Sequence, residues 1–308
     1  MVRGRRAKYF AALMLGGVML AGALYGAFSL TTGEIAPNHD FFRQGRTGGP
    51  LVIAHRGGAG LWPENTLYAF ERARRLGVDL IETDVHSTAD GVLVVIHDSS
   101  LERTTDGNGR VNALSLGELK KLDAGYRWSP DGGRSFPLRG RGITVPTLQE
   151  VFAALPEMRF NIEPKQEAPS LAAPLCRMIR EHGMSGRVMV GSFRASILEQ
   201  FRQECPEVAT SASTSEVSSF LALQRAGLVN AYSPAMQALQ VPEYVGGLSV
   251  VTRSFVEAAH GRNLQVHVWT VNETQDMRRM LALGADGIMT DFPDRLMRVL
   301  ERPVPPPD

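Results

Sequence analysis

Short runs rich in β-branched and aromatic residues alternate with longer amphipathic stretches from residue 51 to about residue 300. The amphipathic stretches have the 3.6-residue period of helices, and several end in glycine, which favours a helix C-terminus. Alternating strands and helices predict a parallel sheet, and eight such units indicate one α/β domain, a closed (β/α)8 TIM barrel. The candidate barrel strands are LVIAH (51–55), DLIETDV (79–85), RFNIEPK (159–165), RVMVGSF (187–193), VATSAS (208–213), VNAYSPA (229–235), QVHVWTV (265–271) and DGIMTDF (286–292).

A ninth strand, VLVVIHD (92–98), breaks this alternation. Only the short segment STADG separates it from the preceding strand, whereas a parallel crossover needs about a dozen residues. The two runs must therefore form an antiparallel hairpin, with Asp90–Gly91 as the turn signal. The turn brings His97 back beside Glu82 and Asp84.

The segment 99–146 is an insertion between this hairpin and the helix TLQEVFAAL (147–155). A long insertion at the functional end of a barrel is often a lid or a substrate wall. A simple surface excursion is the alternative, and the sequence leaves both open.

The N-terminal segment 1–30 predicts membrane targeting. Residues 1–8 carry four positive charges, and residues 9–30 carry none. About 20 apolar residues in a helix span a bilayer, and a basic flank stays cytoplasmic, so the rest of the chain is expected outside the cytoplasm, periplasmic or extracellular. The segment is interpreted as an uncleaved anchor or a cleaved signal peptide that would leave the protein secreted. The length of the apolar run favours the anchor.

The remaining domain boundaries follow from composition and charge. Residues 31–50 are interpreted as a linker, 51–300 as the catalytic barrel and 301–308 as a disordered tail. Lys plus Arg (33) nearly cancel Asp plus Glu (32), leaving a net charge of +1. This balance gives no general attraction to nucleic acid, so none is expected as a partner, and any phosphate recognition must be local.

Cys176 and Cys205 fit neither a zinc pattern nor a redox pair. Two free thiols on barrel helices are the favoured interpretation. A disulfide between neighbouring helices becomes possible if the domain is exported.

Polar residues gather where the predicted strands end. Alternate residues of a barrel strand face inward, and catalytic groups lie at the carboxyl ends of the strands. Glu82 and Asp84 share one face of their strand, which leaves two carboxylates inside the barrel. The other residues placed at strand ends are His55, Arg56, His97, Glu163 and Lys165.

These residue types suit phosphoryl transfer. Buried carboxylates repel one another unless a cation neutralises them, and Glu82, Asp84 and Glu163 suit one hard divalent ion, Mg²⁺ or Ca²⁺. Two histidines can act as base and acid near neutral pH, and an arginine and a lysine can hold a phosphoryl oxygen. Each residue alone would more often be structural, but their convergence at one rim favours chemistry. Trp269 is either an apolar wall of the pocket or core filling.

The sequence resembles the glycerophosphodiester phosphodiesterase family. The resemblance covers most of residues 51–300 and implies a barrel, a divalent metal and hydrolysis of small-molecule glycerophosphodiesters to glycerol 3-phosphate and an alcohol. It implies that His55 and His97 are the acid/base pair. It implies metal ligands at Glu82, Asp84 and Glu163, and phosphate contacts at Arg56 and Lys165. The motifs that carry it are AHRGGAGLWPENTLYAFERARRLGVDLIETDVHSTADGVLVVIHDSSLERTTDG (54–107), VPTLQEVF (145–152), NIEPK (161–165), VHVWTVN (266–272) and GADGIMTDFP (284–293).

Two other functions stay open at this point. One is lysophospholipase D activity at the same site, or phospholipase C-like activity that stops at the cyclic product. The other is a non-catalytic exported binding protein, which the retention of every polar site residue disfavours. The sequence assigns neither the alcohol group of the substrate, nor Mg²⁺ against Ca²⁺, nor which histidine is the acid, nor the oligomeric state.

The predicted topology can be tested with a reporter fused after residue 45. A reporter that is active only after export should be active, because the basic flank holds the N-terminus in the cytoplasm. Activity of a cytoplasm-specific reporter at the same position would contradict the prediction.

Overall fold

The computed structural model describes residues 28–43 and 49–305, together with Gly22 and Gly26. The predicted anchor therefore lies almost entirely outside the described residues and stays a prediction. Within the described residues, no helix is long and apolar enough to cross a membrane.

Eight parallel strands form the barrel, as predicted. Their spatial order is β6-β5-β4-β2-β1-β11-β10-β7, and a parallel bridge between Ser211 and Ala238 joins β6 to β7. The strands are β1 (Leu51–Ala54), β2 (Leu80–Ser87), β3 (Leu93–Val95), β4 (Phe160–Pro164), β5 (Val188–Val190), β6 (Ala209–Thr210), β7 (Ala238–Pro242), β8 (Tyr244–Val245), β9 (Leu248–Ser249), β10 (Gln265–Trp269) and β11 (Gly287–Thr290).

The helices cover the outside of the barrel, where their apolar faces pack on the outward-facing residues of the strands. Several begin at a side chain that caps the first turn, such as Thr147 and Ser213, each in a capping box. The helices are α1 (Asp40–Arg43), α2 (Leu67–Leu76), α3 (Leu116–Leu119), α4 (Leu148–Ala154), α5 (Ala172–Glu181), α6 (Ala195–Glu204), α7 (Thr214–Arg225), α8 (Arg253–Gly261), α9 (Thr274–Leu283) and α10 (Pro293–Val299).

The sixth barrel strand is not where the sequence placed it. The predicted run 229–235 begins with a short 3-10 turn, Val229–Ala231, and the strand is β7 instead. Pro242 ends β7 and argues against a strand, because proline cannot donate a ladder hydrogen bond. The structure accommodates this proline at the last strand position, where it pairs in register with Trp269 of β10.

The hairpin prediction is confirmed. β2 and β3 pair antiparallel, with Val85 opposite Val95 and His86 opposite Val94, and Gly91 has a positive φ in the turn. The insertion 99–146 then packs a small core of its own on one face of β3. This core consists of Val94, Ile96, Leu101, Val111, Leu119, Ala124, Ile143 and Val145.

Apolar side chains fill the amino-terminal part of the barrel. Phe41 of α1 is fully buried against them, and its carbonyl oxygen accepts a hydrogen bond of 3.0 Å from Arg159 Nη1. Residues 31–50 are therefore more than a linker, since part of them closes this end. The inward-facing layer contains Leu51, Ile53, Leu80, Met189, Ala209, Ala238 and Met289.

The C-terminal tail begins later than predicted. Arg302 donates hydrogen bonds of 2.5 Å to Asp79 Oδ2 and of 2.7 Å to the carbonyl oxygen of Pro50. The boundary at residue 301 is wrong for this reason, and residues 306–308 lie outside the described residues.

Cys176 and Cys205 form a disulfide, so the interpretation as free thiols is wrong. Their Cα atoms are 5.6 Å apart, and both side chains are buried between α5 and the end of α6. The sequence indicates that the two cysteines lie on neighbouring helices. It does not show that their side chains face each other, which a disulfide requires.

Loss of the disulfide should destabilise the protein without altering the site. A loop closed over 29 residues contributes about 3–4 kcal/mol in the chain-entropy model. Denaturant unfolding with and without dithiothreitol should show this difference in the free energy of unfolding. The Cys176→Ser/Cys205→Ser double variant should match the reduced protein and should not respond to dithiothreitol. Equal stability of the oxidised and reduced proteins would contradict the pairing.

Candidate active site

A cavity of about 580 Å³ lies at the carboxyl ends of the barrel strands. One half is polar and the other is mainly apolar. The polar half is lined by His55, Arg56, Glu82, Asp84, His97, Asn161, Glu163 and Lys165. The apolar half includes Phe193, Val217, Leu221, Val245, Val250 and Trp269. All eight residues that the sequence singled out therefore line one cavity.

Three carboxylates form the centre of the polar half. One oxygen from each of Glu82, Asp84 and Glu163 lies within 4.8 Å of those of the other two. The Lys165 ammonium donates to Asp84 Oδ1 at 2.9 Å and to Glu163 Oε2 at 2.8 Å. The backbone N–H of Arg56 donates to Glu82 Oε2 at 2.9 Å. Glu82 and Asp84 point into the cavity together because they are two residues apart on β2, and alternate residues of a strand share a face.

The charges of this cluster are only partly balanced by protein groups. Burial, followed by repulsion from Asp84, raises the pKa of Glu82 to about 7. Burial also raises the pKa of Glu163, because it outweighs the attraction of Lys165. Burial alone would raise the pKa of Asp84, but Lys165, His97 and Arg56 together hold it below its usual range. The protein's own cations thus do not offset the effect of burial at Glu82 and Glu163.

The donor set fits a divalent metal ion. Carboxylate oxygens that converge and repel one another are the ligands that Mg²⁺ and Ca²⁺ prefer. Glu82, Asp84 and Glu163 would hold such an ion, and its charge would permit ionisation of all three.

His55 lies in a tight turn directly after β1. Arg56 has a φ of 51°, and Gly57 and Gly58 have positive φ, which turns the chain back so that the Gly58 N–H reaches the His55 carbonyl oxygen at 2.8 Å. His55 Nδ1 donates to Asp291 Oδ1 at 2.7 Å, and its Nε2 lies 3.9 Å from Glu82 Oε2. The ring is thus oriented through Nδ1, with Nε2 beside the carboxylate cluster.

Asp291 is a site residue that the sequence analysis missed. It directly follows β11, and Asn272 Nδ2 donates to its Oδ2 at 2.7 Å. The strand-end rule that found His55 applies equally to Asp291, so the signal was present. Burial lowers the pKa of His55, but the hydrogen bond to Asp291 together with the negative charges of Glu82 and Asp291 outweighs burial, and the pKa lies above its usual value.

His97 is held in the same way by its neighbour. Its Nδ1 donates to Asp98 Oδ1 at 2.6 Å. Because an ionised carboxylate only accepts, Nδ1 carries the proton, and Nε2 is the nitrogen available to a substrate. Burial lowers the pKa of His97 and outweighs the opposing effect of Asp84. His86 is buried in β2, and its Nε2 lies 3.1 Å from the His97 carbonyl oxygen.

Asn65, which lies just before α2, contacts the carboxylate cluster. Thr66 caps α2, whereas Asn65 Nδ2 donates to Asp84 Oδ2 at 2.9 Å. The Thr83 hydroxyl donates to Asn65 Oδ1 at 2.7 Å and fixes the orientation of the amide. Asn65 therefore orients one of the three carboxylates.

Trp269 lies on the apolar half of the cavity, at the end of β10. Its ring packs edge to face on Phe193, with ring centroids 5.4 Å apart. Of the two interpretations of Trp269, the structure favours the cavity wall. No residue of the insertion 99–146, all of which the structure describes, lines this cavity.

Comparison with known proteins matches residues 55–295 to the glycerophosphoryl diester phosphodiesterase family. A glycerophosphodiester phosphodiesterase of Caldanaerobacter subterraneus subsp. tengcongensis is 35% identical over 82% of this chain and 98% of its own length. Human lysophospholipase D GDPD1 is 29% identical over 79% of this chain and 84% of its own length. An Oleispira antarctica phosphodiesterase structure in complex with the product sn-glycerol-3-phosphate superposes with a TM-score of 0.64 at 25% identity, covering 82% of this chain and 97% of that one.

Proposed function

Because the chain belongs to the glycerophosphoryl diester phosphodiesterase family, whose members are phosphoric diester hydrolases, we propose that it hydrolyses glycerophosphodiesters to glycerol 3-phosphate and an alcohol with one divalent ion and two histidines. One observation carries the proposal. Two histidines, each oriented by a carboxylate on Nδ1, share a cavity with three converging carboxylates and two cations.

The chain's own residues divide the work of binding. Glu82, Asp84 and Glu163 would hold the ion, which when bound would supply positive charge to a non-bridging phosphate oxygen. Arg56 and Lys165 stabilise the negative charge that develops on the phosphoryl group. Both are already tied to the carboxylates, at 3.5 Å for Arg56 Nε and 2.9 Å for Lys165 Nζ from Asp84, which keeps them in place before the substrate enters.

The histidines move the protons. One takes the proton of the glycerol hydroxyl next to the phosphate, and that oxygen bonds to phosphorus. The other gives a proton to the alcohol oxygen as its bond to phosphorus breaks. Water then opens the cyclic phosphate with the proton transfers reversed, which yields glycerol 3-phosphate. His55 and His97 are both built for either role, because each presents Nε2.

Replacing either histidine should abolish most of the activity. General acid–base groups contribute about 10²–10⁴-fold each, so His55→Ala and His97→Ala should lose at least that much kcat/KM for glycerophosphocholine. The double variant should lose little more, since groups that act as a unit are not additive. A substrate with p-nitrophenol as the alcohol should restore only the variant that lacks the acid.

The control for these variants is His260→Ala. His260 Nε2 lies 2.8 Å from Asp286 Oδ2 outside the cavity, so its loss should leave kcat/KM unchanged. His86→Ala is unsuitable, because His86 contacts the His97 backbone. Near wild-type rates for both His55→Ala and His97→Ala would overturn the proposal.

The apolar half of the cavity favours lysophospholipids as a second class of substrate. The cavity wall continues into an exposed apolar rim on the β8–β9 hairpin, where Tyr244, Val245 and Leu248 are 51%, 59% and 62% exposed. Such a surface suits a hydrocarbon chain. A monoacyl lipid keeps the free glycerol hydroxyl that the reaction needs, and a relative of this chain is a lysophospholipase D.

A series of lysophosphatidylcholines tests this second candidate. Below the critical micelle concentration, each methylene added to the acyl chain should raise kcat/KM about two- to fourfold, until the chain covers the apolar half of the cavity. Diacyl phosphatidylcholine should not react, because it lacks the free hydroxyl. Leu248→Ser should reduce the gain per methylene, whereas Ile35→Ser, at the opposite end of the barrel, should not. Rates that do not depend on the length of the acyl chain would exclude binding of that chain to the apolar half of the cavity.

We also propose that the catalytic domain lies outside the cytoplasm, tied to the membrane by the N-terminal segment. The disulfide between Cys176 and Cys205 supports this location, since disulfides persist mainly in oxidising compartments.

A further inference from the structure

Arg103 connects two chains of hydrogen bonds that lead to the site. Its Nε donates to Asp98 Oδ2 at 2.5 Å, and Asp98 in turn accepts from His97. Its Nη1 and Nη2 each donate to Glu64 at 2.7 Å, and Glu64 also accepts from Arg56 Nη1 at 2.9 Å. One guanidinium thus connects, through two carboxylates, a catalytic histidine and a phosphate-binding arginine.

The charges of Asp98 and Glu64 explain why an arginine is needed at position 103. Asp98 and Glu64 would repel each other if they shared this space without a cation. Arg103 holds the pKa of Asp98 at about 2, together with His97, and holds the pKa of Glu64 below its usual range despite burial. Both carboxylates therefore stay ionised and acceptor-only, which fixes His97 Nδ1 and Arg56 Nη1 as donors.

The insertion fixes the backbone that carries Arg103. Leu101 is fully buried in the insertion core, and Thr105 is also fully buried. The Thr105 N–H and hydroxyl both donate to the Leu101 carbonyl oxygen, at 3.0 Å and 2.8 Å. Arg103 lies in the turn that these hydrogen bonds close, and its side chain reaches Asp98 and Glu64.

We propose that Arg103 is a positioning residue, and that the insertion serves catalysis by holding it rather than by covering the substrate. Arg103 orients His97 through Asp98 and Arg56 through Glu64. The inference rests on the proposed function, since it assigns His97 and Arg56 their roles there.

Arg103→Ala should lower kcat/KM for glycerophosphocholine about 10–100-fold, the usual effect of losing a group that orients a catalytic ligand. Arg103→Lys should recover little, because an ammonium cannot donate in the planar fork that spans both carboxylates. Guanidinium ion at millimolar concentration should restore part of the activity of Arg103→Ala but not of Arg103→Lys.

The matched control is Arg139→Ala in the same insertion. Arg139 donates to the Tyr126 carbonyl oxygen at 2.7 Å and stacks on Phe136, away from the cavity. Its loss should lower the thermal midpoint at least as much as the loss of Arg103, with kcat/KM changed less than about threefold. A loss of activity in Arg139→Ala equal to that in Arg103→Ala would reduce Arg103 to a structural role and overturn the inference.

A double-mutant cycle separates positioning from structure. In the His97→Ala background, measured with glycerophosphocholine, Arg103→Ala should cost less than in the wild-type background, because one of its two targets is gone. An equal cost in both backgrounds would overturn the inference. If His97→Ala has no effect on kcat/KM for glycerophosphocholine, the proposed function fails instead, so the two failures are distinguishable.

Discussion

Mutual repulsion among three buried carboxylates is the constraint on which the rest of the site depends. Glu82, Asp84 and Glu163 lie in a barrel whose interior is otherwise largely apolar toward its amino-terminal end. Isolated buried charges are costly, so they must be paired or neutralised. Arg56 and Lys165 neutralise Asp84 best, and a divalent ion would supply the positive charge that Glu82 and Glu163 still need.

The barrel tolerates this arrangement because the residues that stabilise the fold and the residues that form the site lie at different ends. Phe41 and the apolar layer above it close the amino-terminal end, and the helices bury the outer faces of the strands. The carboxyl ends are left to polar groups from different strands. Their side chains are fixed by neighbours that do not line the cavity, such as Asn65 for Asp84 and Asp291 for His55.

The sequence was informative where a local rule determines geometry. The two-residue period placed Glu82 and Asp84 on one face, and a connection too short for a crossover forced the hairpin that carries His97. It was uninformative where partners come from distant segments. The contact of Arg103 with Glu64 spans 39 positions, and the disulfide depends on how two helices face each other. The sixth strand was missed because Pro242 argues against a strand unless its place at the last strand position is known.

Direct titration of the purified, metal-stripped protein with Mn²⁺ tests the central claim most directly, with bound ion followed by electron paramagnetic resonance and activity measured in parallel. The account predicts one ion per chain, recovery of activity at the same stoichiometry, and loss of both in Glu163→Gln and in Asp84→Asn. Full activity after removal of all divalent metal, or unchanged binding in both variants, would contradict it.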